Sequence, residues 1–417
     1  MAVGMREERA AVICAPDQVI DRSFLERDGF GLRQIVPPGG TVVVASRGAL
    51  PVAAVFAALD GWAARVDLVG PEGLGSAPDS AVVLVDDLGA HAAVMSGTAP
   101  PPGEAATRWR LRSSGTTGAG KTTDHSISAL ARTVRRPDGP GSAGAYRWGL
   151  LYPPTRMAGV QVVLQALFGG ESVVDAAHLA GLEQRLEWFA AWDVNALSAT
   201  PTLWRQILQL GHASGLRLKQ ATLGGEIADQ RLLDAMGDRF GCRVSHVFAS
   251  TEAGVAFSVS DGRAGFPRAF LHRGPRGIRL EIRDGVLHVH NPGSSRAEPD
   301  GFVSTGDRVT VVDDRVHFEG RVDGVVNVGG ETVVPERVEE ALRRHPRVHD
   351  ALVVPRRNAF SGWILHAEVV PDGAEDGQLA GELRRQVREE LGPAHVPARV
   401  VLVSQLRSST TGKALRQ

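Results

Sequence analysis

Arg112-Ser113-Ser114-Gly115-Thr116-Thr117-Gly118-Ala119-Gly120-Lys121 gathers three glycines, four hydroxyl side chains and a terminal cation into one short loop. Glycines let backbone amides approach an anion, hydroxyls donate to its oxygens, and a lysine neutralises its charge. The composition is that of a cradle for a polyphosphate, with a ligand-free Gly/Ser/Thr surface turn as the ordinary alternative. What flanks the loop decides between them.

Upstream, the β-branched run Thr41–Ala45 reads as a strand, residues 52–63 behind Pro51 as a helix, and residues 66–69 and 82–85 as further short strands. Arg108–Arg112 then delivers the loop to the carboxyl end of a strand, where ligands of open α/β sheets sit. Downstream the alternation continues: strand 148–152, helix 160–168, strand 172–174, helix 179–192, strand 196–198, a helix opened by Pro201, strand 220–223, helix 229–240 and strand 244–248. Two stacked βα layers would account for this, with the Gly/Pro-rich residues 137–144 as a mobile loop.

Beyond Gly254 the pattern changes to short alternating strands at 278–282, Val286–His290, 308–312 and 316–318 with Asp-Gly and Asp-Asp turns, a small antiparallel β region. After Arg321 comes strand, helix Pro335–Arg344, strands 351–354 and 365–370, helix Leu379–Leu391 and strand 398–403, a self-contained α+β unit. The fold class is therefore α/β: a large N-terminal domain of layered βα sheets with a small β-barrel-like region, residues 1–321, then a small mobile α+β C-terminal domain, residues 322–417.

At 417 residues the chain exceeds what one core supports, and with 46 basic against 47 acidic residues it carries no excess charge for nucleic acid or an anionic membrane. The partner expected is a small molecule. Cys14 and Cys242 stand alone, which supports neither a disulfide framework nor a zinc site. Arg6, Glu7, Glu8 and Arg9 precede no apolar run of the export type, and no stretch reaches the roughly 20 apolar residues of a membrane span, so a cytoplasmic location is expected.

Five further strings carry chemistry. Leu223-Gly224-Gly225-Glu226 ends a strand where paired glycines admit a ligand against the backbone. Phe248-Ala249-Ser250-Thr251-Glu252 offers a flat ring for a purine and a carboxylate suited to the Mg2+ of ATP, or, blandly, a core aromatic before a capping Ser/Thr. Ser304-Thr305-Gly306-Asp307 sets a carboxylate beside a tight turn, able to accept from both ribose hydroxyls. Arg321 in Gly320-Arg321-Val322-Asp323 supplies a guanidinium, and Thr410-Thr411-Gly412-Lys413 places a cation almost at the end of the chain.

In this order, and from about Gly39 to Arg416, the six strings resemble the core motifs of the adenylate-forming superfamily, the acyl- and aryl-CoA synthetases and nonribosomal adenylation domains. Gly115 to Thr122 also satisfies Gly-x4-Gly-Lys-[Ser/Thr], the P-loop of nucleotide triphosphatases, but a P-loop does not predict the other five. The resemblance implies that a carboxylic acid attacks the α-phosphate of ATP to give an acyl-adenylate, and that the thiol of coenzyme A or of a carrier-protein pantetheine then displaces AMP. It implies that Ser113, Ser114, Gly115, Thr116, Thr117, Gly118 and Lys121 hold the β- and γ-phosphates, and that Glu252 holds Mg2+. Gly224, Gly225, Glu226, Phe248, Ala249, Ser250 and Thr251 would line the nucleotide, Asp307 and Arg321 fix the ribose, and Lys413 bridge the acyl carboxylate and the α-phosphate. Lys413, Glu252 and Thr116 are thus the expected catalytic residues, and Asp323 the hinge of the C-terminal domain.

The chain also departs from the family pattern. Gly120-Lys121-Thr122 stands where Pro-Lys-Gly is usual, and the part before the loop is shorter by roughly a third. Tyr152 to Gly159 carries Arg156 at the position of a family histidine, and no aspartate near it would hold an α-ammonium, which disfavours amino acids. Tyr152, Arg156, Gly159 and His246 are the expected pocket residues, with Arg156 pairing with a second carboxylate or ring substituent of the acid or else directed at the surface or at phosphate. The activity expected is an aryl- or medium-acyl-CoA synthetase of specialised metabolism. The alternatives are an enzyme loading an acyl carrier protein or a nitrogen nucleophile, and a nucleotide-binding pseudoenzyme.

Overall fold

The computed structural model describes residues 11–15, 18–28, 30–71, 73, 81–84, 106–112, 122–134, 146–210, 215–250, 254–290, 300–373, 377–409 and 412–416. By its contacts the chain divides into two compact units, residues 1–198 with 212–222, and residues 199–211 with 223–417. The expected boundary at Asp323 falls inside the second unit.

The first unit holds the expected βα layers. One sheet runs Val82–Leu84, Thr41–Ala45, Arg65–Val69, Arg108–Arg112, Thr122–His125, parallel except for the last strand, which turns back antiparallel on Arg108–Arg112. In the other, Ala196–Ala199, Arg147–Leu150, Ser172–Asp175 and Ala11–Cys14 lie side by side in parallel, with Val19–Asp21 antiparallel at the edge. Helices Ala49–Leu59 and Met157–Gly169 share one hydrophobic core with both sheets, which is why ten of the eleven residues of Ala49–Leu59 are buried. Such a helix has no polar face to betray its period. Its start was misplaced accordingly: it opens at Ala49, where buried Asp175 accepts the amide of Ala49 from across the unit, and Pro51 merely lies within its first turn.

In the second unit, helices Pro201–Gln209 and Gln230–Phe240 are capped by Thr200 and Asp229, whose side chains accept the amides of Leu203 and Leu232. Arg243–Ser250 pairs antiparallel with Gly254–Val259. An antiparallel sheet follows in the order Phe266–Pro267, Arg315–Arg321, Val303–Val312, Val286–His290, Arg279–Arg283. Strand Val303–Val312 starts earlier than residue 308, so Ser304 to Asp307 lies inside a strand rather than at a turn between strands. The local turn survives within it: Thr305 Oγ1 accepts the amide of Asp307 and donates to Leu287 O, and the pairing is irregular one residue on.

The C-terminal sheet runs Glu331–Val333, Val326–Val328, Gly362–Pro371, Val348–Asn358, with Arg399–Leu402 parallel to Gly362–Pro371. Helices Pro335–Arg344 and Leu379–Leu391 close a core with it. The expected order holds except that its first strand is a hairpin, Val326–Val328 with Glu331–Val333. No helix among the described residues is long and apolar enough to cross a membrane.

Candidate active site

Lys413 is fixed by what surrounds its backbone. Gly412 O accepts a 2.5 Å hydrogen bond from Thr200 Oγ1, and the amide of Ala414 donates to Glu226 Oε1 at 2.9 Å. Glu226 Oε2 accepts the amide of Thr202 at 3.0 Å, so its carboxylate joins the first turn of Pro201–Gln209 to the residue after Lys413. Ser409 closes the loop, its Oγ accepting the amide of Lys413 and its amide donating to Lys413 O. The lysine side chain then passes over Gly225, whose φ of +85° already favours glycine. A β-carbon there would lie 2.9 Å from Lys413 Cε and 3.5 Å from Nζ.

Two of the chain's three lysines, Lys121 and Lys413, lie in the motif strings, while arginine supplies nearly all other positive charge. A lysine offers a compact ammonium on a flexible stem, a point charge rather than the planar fork of arginine.

A second cluster forms around Asp307. Arg321 stands opposite it in the sheet register, with Nη1 3.5 Å from Asp307 Oδ1 and 2.7 Å from Thr305 O, which accepts its proton. The guanidinium also reaches Asp323 at 3.2 Å. Burial pushes the Asp307 carboxyl above its ordinary range, and Arg321 opposes that shift. A half-exposed guanidinium beside a partly buried carboxylate can take a vicinal diol or an anion.

Phe248 is stacked on Phe257 and on Phe318, each at a ring separation of 5.3 Å, and it packs on the core of the antiparallel sheet. Phe248 is thus one of the partly buried rings at the margin of that core. Ala249 continues the strand, pairing with Val255. His246 Nε2 lies 3.1 Å from Arg263 O, and burial lowers the imidazole's pKa.

In the first unit, Arg156 Nη1 donates to Arg112 O at 2.9 Å, bracing the residue from which the glycine-rich loop departs. Tyr152 is buried, and Gly159 approaches the backbone so closely that a β-carbon would meet Pro153 O at 2.1 Å. Ser113, Ser114, Gly115, Thr116, Thr117, Gly118, Lys121, Thr251 and Glu252 lie outside the described residues, as do the side chain of Ser250 and the 137–144 loop.

The structure thus brings Gly225, Glu226 and Lys413 together in one cluster, and Asp307, Arg321 and Asp323 in another. Thr200 and Ser409 were missed. A threonine directly before a helix-opening proline is a readable N-cap, but nothing in that pattern announces its second bond to Gly412. Also missed was a buried ionic network in the second unit. Arg205 and Arg343 both pair with Asp229, and both lie near Asp350, 3.6 and 3.7 Å away. Arg231 adds hydrogen bonds to the carbonyls of Arg343, His345 and Val348 at the end of helix Pro335–Arg344.

Two family models match the chain: the AMP-binding enzyme over residues 111–336 and the AMP-binding enzyme C-terminal domain over residues 337–413. The chain belongs to this family of the adenylate-forming superfamily. Among curated proteins it is 28% identical over 253 residues to the mitochondrial acyl-coenzyme A synthetase ACSM1 of Mus musculus, covering 52% of this chain and 44% of that one. It is 32% identical over 159 residues to the 2,3-dihydroxybenzoate-AMP ligase of Bacillus subtilis, covering 38% and 28% respectively. The matched stretches thus span less than half the length of these relatives. Among solved structures, the amide bond synthetase McbA from Marinactinospora thermotolerans superposes with a TM-score of 0.71 at 21% identity, covering 97% of this chain and 95% of that one, which establishes the fold.

Proposed function

We propose that this protein activates an aryl or medium-chain carboxylic acid with ATP, forming an acyl-adenylate, and transfers the acyl group to a thiol, with coenzyme A as acceptor. The observation that carries the reading is the placement of Lys413. A lysine side chain is ordinarily left in solvent, yet here both neighbours of Lys413 are hydrogen-bonded, Gly412 to Thr200 and Ala414 to Glu226, and its side chain lies over Gly225.

In the first step an oxygen of the acid bonds to the α-phosphorus while the bond to pyrophosphate breaks. Two anions must approach, so positioning and a well-placed cation supply most of the acceleration. Lys413 is that cation, meeting the acid's carboxylate and the α-phosphate together. Asp307 accepts from the ribose hydroxyls while Arg321 restrains its carboxylate, and the loop from Ser113 to Lys121 holds the β- and γ-phosphates. In the second step the thiol sulfur bonds to the carbonyl carbon and AMP departs.

No three His, Cys, Asp or Glu side chains converge on a metal position among the described residues. Mg2+ is bound through one or two carboxylates plus substrate phosphates, and Glu252 is the carboxylate we assign. The ion would neutralise phosphate charge.

The test is acid-dependent exchange of labelled pyrophosphate into ATP over a panel of aryl, short-chain and long-chain acids, followed by coenzyme A or an amine as acceptor. Exchange with one class that is lost in Lys413→Ala is the expected result. No exchange with any acid would overturn adenylation, and product with an amine alone would reassign the acceptor.

A further inference from the structure

Glu226 belongs to a motif string, but adenylation as derived above gives its carboxylate no task. We propose that Glu226 and Thr200 are positioning residues that hold Lys413 in its working place by clamping the residues on either side of it. Glu226 has one oxygen on each partner, Oε2 on the amide of Thr202 and Oε1 on the amide of Ala414. Thr200 Oγ1 is likewise used twice, accepting the amide of Leu203 and donating to Gly412 O. Thr200 and Thr202 lie at the start of the same helix, so Gly412 and Ala414 are tied to one rigid support and Lys413 is left between them. No charge on Glu226 need touch substrate for this to work. The requirement is geometric, because a carboxylate presents an acceptor oxygen to each of the two amides, whereas a carboxamide would face one of them with its donor NH2.

The clamp predicts a division between the two half-reactions. Lys413 acts on the attack at phosphorus, so loosening it slows adenylate formation and leaves consumption of supplied acyl-adenylate unchanged. This kinetic arm rests on the proposed adenylation. A second arm does not: amine labelling by acetic anhydride, read by mass spectrometry, with exposed Lys219 as the internal reference.

In protein carrying Glu226→Gln, Glu226→Ala or Thr200→Val, Lys413 labelling relative to Lys219 should rise, and exchange turnover should fall about tenfold, the scale of one hydrogen bond. The KM for ATP should stay put. Thr200→Ser keeps the hydroxyl and should restore both readouts, which separates the clamp from a general loss of folding. Unchanged Lys413 labelling in folded variants would overturn the proposal, as would equal losses in adenylate formation and adenylate consumption. Absence of exchange in the unmodified protein would instead overturn the adenylation reading, with the labelling arm still deciding the clamp.

Discussion

Lys413 Cε lies 2.9 Å from where a β-carbon on Gly225 would be, so the lysine occupies space that only glycine leaves open. The crowding atom is the end of a flexible side chain, and it is the lysine that yields when that space is filled. Gly225→Ala should therefore cost more in rate than in stability. The φ of +85° adds strain of about 1–2 kcal/mol, a fall of a few degrees in Tm. Pyrophosphate exchange should fall by about tenfold or more as Lys413 leaves its position. Thermal melts and exchange assays on the same preparation check both.

Asp229 is held well below the usual carboxylate range, at about 2, because Arg205 and Arg343 outweigh the cost of its burial. Its ordinary value is about 3.8, so this stabilisation is fully present above that pH and is lost as pH falls toward 2. The linkage is worth about 2 kcal/mol. Asp229→Asn leaves two buried guanidinium groups short of a counter-charge and should cost about 3 kcal/mol at neutral pH. Urea unfolding at pH 7 and pH 3 should show the gap between the two proteins narrowing in acid.

Asp307 shows the opposite sign. Burial raises its folded pKa above the unfolded value, so ionised Asp307 weighs against the fold at neutral pH, and that penalty disappears as pH falls below both values. Asp307→Asn should raise Tm at pH 7.5 by a margin that vanishes near pH 3, while weakening binding of AMP. Melting curves across that range, with nucleotide titration by calorimetry, test the trade.

Arg156 bonds the carbonyl of Arg112, immediately ahead of the glycine-rich loop. If its work is bracing that loop, Arg156→Ala should raise the KM for ATP by about tenfold, the scale of one hydrogen bond from a charged donor, and leave the KM for the acid unchanged. A change confined to the acid would restore the pairing with a second substrate carboxylate. Steady-state kinetics with each substrate varied in turn distinguishes the two.

Secondary structure and motif order were legible because their causes are local. The β-branched run Thr41–Ala45, the Pro-led helix Pro335–Arg344 and the hairpin strand Val286–His290 lie where the residues place them. Helix Ala49–Leu59 was mis-started because burial on all sides erases the amphipathic period, and Ser304 to Asp307 was taken out of its strand because its turn chemistry is real but sits inside the sheet.

The sequence by itself determined the α/β class, the order of the phosphate, ribose and lysine strings, and so the family, since each depends on residues within a few positions of one another. Only the tertiary structure decided what those strings touch. Glu226 meets Ala414 across 188 residues and Thr200 meets Gly412 across 212, and Phe248 stacks between rings contributed by two other strands. Such partners carry no period and no fixed spacing, because they are selected by packing and by the need of buried polar groups for partners, which act only once the chain has folded.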